Sequence, residues 1–170
     1  METTKRYIEF ISDIKDTVYR LACTIVGDSD EAKDITQDVY ERVWRARDAV
    51  LAHRYPRAYV CRITRNLAID RLRSNHRLQS LDKGRPIPIL DNNRELTTEL
   101  MNIAELTRQA IQQLPERQRV AMQMRDIEGY ELEEIAETLE CDSTSVRMNL
   151  SRARKRVREV IINSINYGIR

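Results

Sequence analysis

A chain of 170 residues, 41% hydrophobic and 33% charged with 5% aromatics, can bury one moderate core or two small helical ones, and suits amphipathic helices better than a β-sandwich. The net charge of +2 averages over blocks of opposite sign. Residues 28–41 hold six acids and one lysine, residues 54–77 seven arginines and one acid, and residues 126–142 eight acids and no base. Such alternation implies separate surfaces for separate partners and excludes a uniform polyelectrolyte. Cys23, Cys61 and Cys141 are odd in number and far apart, which fits a reducing cytoplasm and argues against a disulfide framework or a zinc site. No metal and no cofactor is expected. No signal peptide and no membrane-length apolar run can be read, so a soluble cytoplasmic protein without membrane insertion is expected.

Residues 5–26 read as an amphipathic helix with Tyr7, Ile8, Ile11, Ile14, Val18, Leu21 and Ile25 near one stripe, stopped by Gly27. Asp28 or Ser29 can cap a second helix to about residue 46, whose stripe is Ala32, Ile35, Val39 and Val43, with Trp44 at its margin. Residues 48–56 are expected to form a loop closed by Pro56. A third, basic helix follows over about 57–77, where Tyr59, Ile63, Leu67, Ile69 and Leu72 alternate with arginines. Gly84, Pro86 and Pro88 then argue for an extended linker over 78–98. Periodicity resumes over 99–114, Pro115 opens another helix at its first position, and Gly129 ends it.

Residues 131–158 read as two helices joined by a tight turn. The first buries Leu132, Ile135, Ala136 and Leu139; Glu140 and Cys141 make the turn, and Asp142 caps the next helix. The second helix buries Val146, Leu150, Ala153 and Val157. Its other side carries Thr144, Arg147, Met148, Ser151, Arg152 and Lys155. An apolar-backed helix with a cationic outer face is what the DNA major groove admits. The fold expected is therefore all-α: two small helical domains, 1–77 and 99–170, joined by a flexible linker over 78–98, the second containing a helix–turn–helix.

On pattern alone, the acidic second helix reads as a solvated face, and the basic third helix as a generic phosphate binder. What phosphate binding leaves unexplained is Asn66 beside Arg62 and Arg65, since an amide can pair with a base edge. A dimeric helix–turn–helix regulator stays open as an alternative. An enzyme is disfavoured: there is no P-loop, no clustered His/Cys set and no nucleophile–base pair, while His53 and His76 look isolated and solvated.

Three strings in order carry a resemblance: DEAKDITQDVYERVW at 30–44, YPRAYVCRITRNLAIDRLR at 55–73, and LPERQRVAMQMRDIEGYELEEIAETLECDSTSVRMNLSRARKRV at 114–157. Over nearly its whole length the chain resembles the extracytoplasmic-function sigma factors of bacterial RNA polymerase, in the sigma-70 family. The resemblance implies a promoter-specificity subunit. Residues 1–77 correspond to sigma region 2 and residues 99–170 to region 4, and the linker threads toward the RNA exit channel. At about 20 residues that linker can reach ~70 Å when extended.

In the family the acidic face docks on the clamp helices of the polymerase's largest subunit, which implies that role for Asp34, Gln37, Asp38, Glu41, Arg42 and Trp44. The basic helix captures the minus-ten element with a flipped base held near residues 49–56. Arg62, Arg65, Asn66, Arg71 and Arg73 are the DNA contacts so implied, with Asp70 an ion-pair partner within the helix. Arg147, Met148, Ser151 and Arg152 match positions that read the minus-thirty-five element, with Thr144 and Lys155 as phosphate contacts. An anti-sigma factor, often membrane-bound, is the implied inhibitory partner. The chain departs from the family pattern at Tyr59, usually tryptophan, at Val60, usually leucine, at Met148 and Asn149, and at Glu140 and Thr144, where glycine is usual.

Overall fold

The computed structural model describes residues 2–81 and 99–168, with side chains over 2–78 and 103–166; most of the expected linker lies outside the described residues. Every regular element among them is helical. Helix α1 (Glu2–Val26) ends at Gly27, whose φ of 73° suits a residue without Cβ. Asp28 caps α2 (Ser29–Arg45), its carboxylate accepting from the Asp30 and Glu31 amides at 3.0 and 2.8 Å. Part of the loop expected over 48–56 is a short helix, α3 (Arg47–Ala52), which buries Val50. Helix α4 (Pro56–Leu81) begins at the proline and runs four residues beyond the expected end at 77.

The carboxy-terminal half holds α5 (Glu99–Gln112), α6 (Glu116–Met122), α7 (Leu132–Leu139) and α8 (Ser143–Gly168). Pro115 stands one position earlier than expected, as the residue before α6 with extended backbone. After α6 the helix widens into a π-helical stretch, Gln123–Ile127, before Gly129 turns the chain with φ 75°. π-Turns inside helices commonly mark functional positions, and this one delivers Glu128 toward α1.

The apolar stripe of α1 packs as expected at Tyr7, Ile14, Val18, Leu21 and Ile25, whereas Ile8 points outward at 61% exposure because Tyr7 takes the core position beside it. On α2, Ala32, Ile35, Val39 and Val43 are buried and Trp44 is left at the surface. Helix α4 touches α1, α2 and α3 and also α7. Crowding on several sides explains why its most buried residues are small (Ala58, Val60, Cys61, Thr64 and Ala68), while Tyr59, Ile63, Leu67, Ile69 and Leu72 lie part-buried around them.

The two halves are packed against each other. One cluster of buried side chains joins Leu21, Ile25 and Cys61 to Val120, Ala121, Met124, Tyr130, Ile135 and Leu139. A smaller satellite, Ala110, Leu114, Ala153 and Val157, ties α8 to α5. The module boundary is thus a core contact as well as a linker.

Candidate nucleic-acid interface

Helix α8 owes its position to the turn before it. Glu140 adopts the left-handed conformation (φ 53°, ψ 49°), and the Asp142 carboxylate accepts the Ser145 amide at 2.7 Å. That bond holds the Asp142 carboxyl below its ordinary value. The capping box of α7, Glu131 with Glu134, fixes the other end of the motif. Val146, Leu150, Ala153 and Val157 face inward, leaving Thr144, Arg147, Met148, Ser151, Arg152 and Lys155 exposed together along one side. Among the described residues, none of Arg147, Arg152 and Lys155 is paired with a carboxylate. Arg154, by contrast, is held by Asp126 through two hydrogen bonds, at 3.0 and 2.5 Å. The cationic face of α8 is open.

The α4 set divides. Asn66 and Arg73 are exposed, Arg73 lying 3.9 Å from Asp70 within the helix. Arg71 reaches Asp38 of α2 at 3.5 Å. Arg62 and Arg65 turn instead toward the second module. Arg65, 9% exposed in its side chain, makes a two-point pair with Glu116 at 2.5 and 2.9 Å, and this bonding raises its pKa despite burial. Arg62 lies 3.1 Å from Glu137 and 4.0 Å from Glu140.

Tyr59 carries the guanidinium of Arg62 on one contact, 5.0 Å from its centroid, and stacks on His53 at 4.8 Å. His53 is therefore part of the interface, not an isolated solvated group. Its Nδ1 accepts the Tyr55 amide at 3.1 Å and its Nε2 lies 3.6 Å from Glu137.

On α2, Asp34, Gln37, Glu41 and Arg42 are exposed and Asp38 half-buried, at spacings of three and four that place them on one face. Trp44, 41% exposed, flanks that face; its ring meets Tyr7 edge-on at 4.9 Å, and the Arg47 guanidinium lies over it at 4.6 Å. Asp38 pairs with Arg71 and Glu41 with Arg45, and Asp34, the remaining acid of this stripe, is turned to solvent.

Sequence reasoning missed the clasp between α1 and the π-helical turn. Glu128, 5% exposed in its side chain, accepts from Arg20 at 2.7 and 2.9 Å, from Thr17 at 2.8 Å and from Gln123 at 3.0 Å. The Arg20 bonds, aided by Thr17, hold its carboxyl below the ordinary range. Arg119 donates to the Thr24 and Ile25 carbonyls at 3.2 and 3.4 Å, which satisfies acceptors at the open end of α1. Thr138 donates to the Ala58 carbonyl at 3.0 Å, and the Tyr130 hydroxyl lies 3.7 Å from Cys61. The available signal was the polar ridge Thr17, Arg20 and Thr24 running beside the apolar stripe of α1.

Among the described residues no group of His, Cys, Asp and Glu could hold a metal ion, and no helix is long and apolar enough to cross a membrane. Residues 10–78 match the family Sigma-70 region 2, and residues 104–157 match Sigma-70, region 4. The ECF RNA polymerase sigma factor SigE of Mycolicibacterium smegmatis is 31% identical over 156 residues, which is 90% of this chain but 60% of that protein. The RNA polymerase sigma factor SigV of Bacillus subtilis is 29% identical over 158 residues, 92% of each chain. The fold is similar to that of the sigma factor RpoE of Bartonella quintana, solved with the anti-sigma factor NepR: TM-score 0.76, 21% identity, covering 92% of this chain and 97% of that one. With both regions present, in order, and on separate helical modules, the chain belongs to the extracytoplasmic-function sigma factors of the sigma-70 family.

Proposed function

We propose that this chain is a dissociable specificity subunit that binds core RNA polymerase and directs it to promoters, a DNA-recognition component and not an enzyme. The observation that carries the reading is the presence of two cationic helices, α4 and α8, on two modules, together with a separate acidic stripe on α2. One helix–turn–helix needs neither of the other two surfaces.

In this reading residues 1–77 form the module that grips polymerase and reads the minus-ten element, 78–98 connect, and 99–170 read the minus-thirty-five element. Asp34, Gln37, Asp38, Glu41, Arg42 and Trp44 meet a basic helical surface of the largest subunit, where opposite charge speeds encounter and fixes register. Arg62, Arg65, Asn66, Arg71 and Arg73 hold the opened minus-ten strand. Arg147, Met148, Ser151 and Arg152 meet base edges in the major groove, with Thr144 and Lys155 on phosphates. Regulation by an anti-sigma factor is supported by the fold shared with a sigma factor solved in such a complex. The chain works in the cytoplasm, and an anti-sigma factor anchored in the membrane can hold it there.

Transcription of a genomic fragment library by purified core polymerase, with and without this chain, tests the reading. New start sites sharing two spaced elements are expected. Absence of new start sites, together with no association with core enzyme at low salt, would leave a stand-alone operator binder.

A further inference from the structure

We propose that Arg47 is a further polymerase-contacting residue, stacked on Trp44 so as to receive a carboxylate of the largest subunit beside the surface that the acids of α2 engage. The inference rests on the reading of the α2 stripe as polymerase-facing. It adds a residue outside that set and a second sign of charge, and with them the direction in which the partner must lie.

Trp44 and Arg47 stand at the corner where α2 passes into α3. Tyr7 meets the Trp44 ring edge-on at 4.9 Å, and its hydroxyl donates to the Tyr40 carbonyl of α2 at 3.2 Å. The Tyr40 hydroxyl in turn donates to the Lys15 carbonyl at 3.2 Å. The last turn of α2 is thus tied to α1, and the indole is held from the side while Trp44 stays 41% exposed. Arg47 lies over the ring, its guanidinium 4.6 Å from the centroid, and donates to the Trp44 carbonyl at 3.1 Å.

That setting leaves the guanidinium with donors to spare. Its Nε is buried without a hydrogen-bond partner, and among the described residues no carboxylate pairs with Arg47. Arg45, two residues earlier, is by contrast paired with Glu41. Stacking on a ring engages the flat face of a guanidinium and leaves its in-plane N–H groups for a planar acceptor. A carboxylate is the protein group that fits this fork. Tryptophan and arginine are also the side chains that most often dominate protein interfaces.

Position identifies the partner. Trp44 follows Glu41, Gln37 and Asp34 at helical spacing, so the Trp44–Arg47 knob continues the acidic stripe with its charge reversed. At the rise of an α-helix the two signs lie about 15 Å apart. A surface that sets cations against Asp34 and Asp38 must then present its carboxylate beyond Glu41. Docked in the opposite direction it would bring like charges together, which penalises the wrong orientation.

The test measures how full-length variants compete with the labelled wild-type chain for purified core polymerase. Arg47→Met keeps an unbranched side chain over the indole without charge, Arg47→Lys keeps the charge without the fork, and Arg47→Glu reverses the charge. Arg158→Ala, exposed on α8, controls for the loss of a surface arginine. Trp44 is the single tryptophan of the chain, so acrylamide quenching of its emission in each free variant checks the corner, and circular dichroism checks helix content. Should methionine disturb the corner, Arg47→Gln takes its place, since its amide can still donate to the Trp44 carbonyl.

Arg47→Met should bind about tenfold more weakly than wild type and Arg47→Glu about a hundredfold, with Arg47→Lys between wild type and Arg47→Met and the control unchanged. Arg47→Met binding like wild type, or Arg47→Glu binding no worse than Arg47→Met, overturns the carboxylate contact. Asp34→Ala/Gln37→Ala, measured alongside, separates the two readings. If that pair binds as tightly as wild type, the stripe itself does not face polymerase. If it binds weakly while Arg47→Glu matches Arg47→Met, the stripe stands and Arg47 serves only the end of α2.

Discussion

Arg71 and Asp38 meet at 3.5 Å where α4 crosses α2, so a residue of the set proposed to contact DNA is held by a residue of the set proposed to face polymerase. Both side chains are more than a third exposed, and a pair so solvated contributes only ~0–1 kcal/mol to stability. Its importance lies in coupling: a partner that takes Asp38 releases Arg71. Replacing Asp34 and Gln37 together by alanine should weaken core polymerase binding by about tenfold, a loss of ~1.4 kcal/mol, and leave duplex binding through α8 unchanged. Asp38→Asn should weaken polymerase binding and also raise single-strand affinity, because Arg71 is freed. Competition binding against core enzyme, run beside a duplex mobility assay, checks both; parallel loss in the two assays would contradict the separation of surfaces.

On α8 the exposed cations differ in what they can do. Arg152 can bond a guanine edge through two donors, worth roughly 1–3 kcal/mol of discrimination, whereas Lys155 presents a point charge suited to a phosphate. Arg152→Ala should narrow the gap between matched and mismatched minus-thirty-five sites. Lys155→Ala should weaken both sites alike and reduce the salt slope by about one unit. Titrations at several salt concentrations distinguish the two outcomes, and indistinguishable variants would refute this sorting of contacts.

Glu140 is the non-glycine residue with positive φ among the described residues. A side chain in the left-handed region costs about 1 kcal/mol, part of which glycine recovers despite its greater freedom in the unfolded chain. The side chain adds only a 4.0 Å approach to Arg62 at 56% exposure, a contact of little stabilising value. Glu140→Gly should therefore raise stability by roughly 0.5 kcal/mol, seen as a higher thermal midpoint. A fall in midpoint would mean that the Arg62 contact outweighs the backbone strain.

Acidification should weaken the α1 clasp. Arg20, Thr17 and Gln123 hydrogen-bond the ionised form of Glu128 and hold its carboxyl below the ordinary 4.5. A carboxyl with a depressed folded pKa contributes stability that is complete above the ordinary value and is lost as pH falls through the lower one. Arg20 stays charged throughout, with Asp16 the other acid acting on it. Denaturant midpoints for wild type and Glu128→Gln should thus differ most near neutrality and converge below about pH 4. A constant difference down to pH 3 would mean that the carboxylate charge is irrelevant to the contact.

Most of the fold was legible because each helix has an apolar stripe and a stop signal: Gly27, Pro56, Gly129 and the Asp142 cap all stand at helix boundaries. The cationic face of α8 was equally legible, since Val146, Leu150, Ala153 and Val157 define its back by spacing alone. Docking of the modules was not. It depends on polar pairs such as Thr17–Glu128 and Arg65–Glu116, separated by 111 and 51 residues, and periodicity carries no information across such distances. The charge blocks hinted at it, because the acids of 126–142 and the arginines of 54–77 are mutual partners at Glu137 and Arg62. Read along the chain, however, each block resembles a surface for something external. Helix α4 was harder still: contacts on several sides bury its small residues, so the large ones mark the margins of its packing and not the centre.

Cys61 offers a chemical reading of whether the modules are apart. It is 1% exposed, faces the Tyr130 hydroxyl of the second module at 3.7 Å, and burial pushes its thiol up to about 12. A thiol that is both protonated and covered is a poor nucleophile. Cys23 and Cys141 are only half-buried. Iodoacetamide at about pH 8, close to the pKa of an unperturbed thiol, should therefore modify Cys23 and Cys141 well before Cys61 in the free chain, as mapped by peptide mass spectrometry. Parting the modules removes Tyr130 from Cys61, so Cys61 should react faster in Glu116→Gln/Glu137→Gln. If Cys61 reacts as fast as Cys141 in the unaltered chain, the inter-module core does not form in solution. If its rate is the same in the variant as in wild type, Cys61 is shielded by the first module alone, and Tyr130 contributes nothing to its protection.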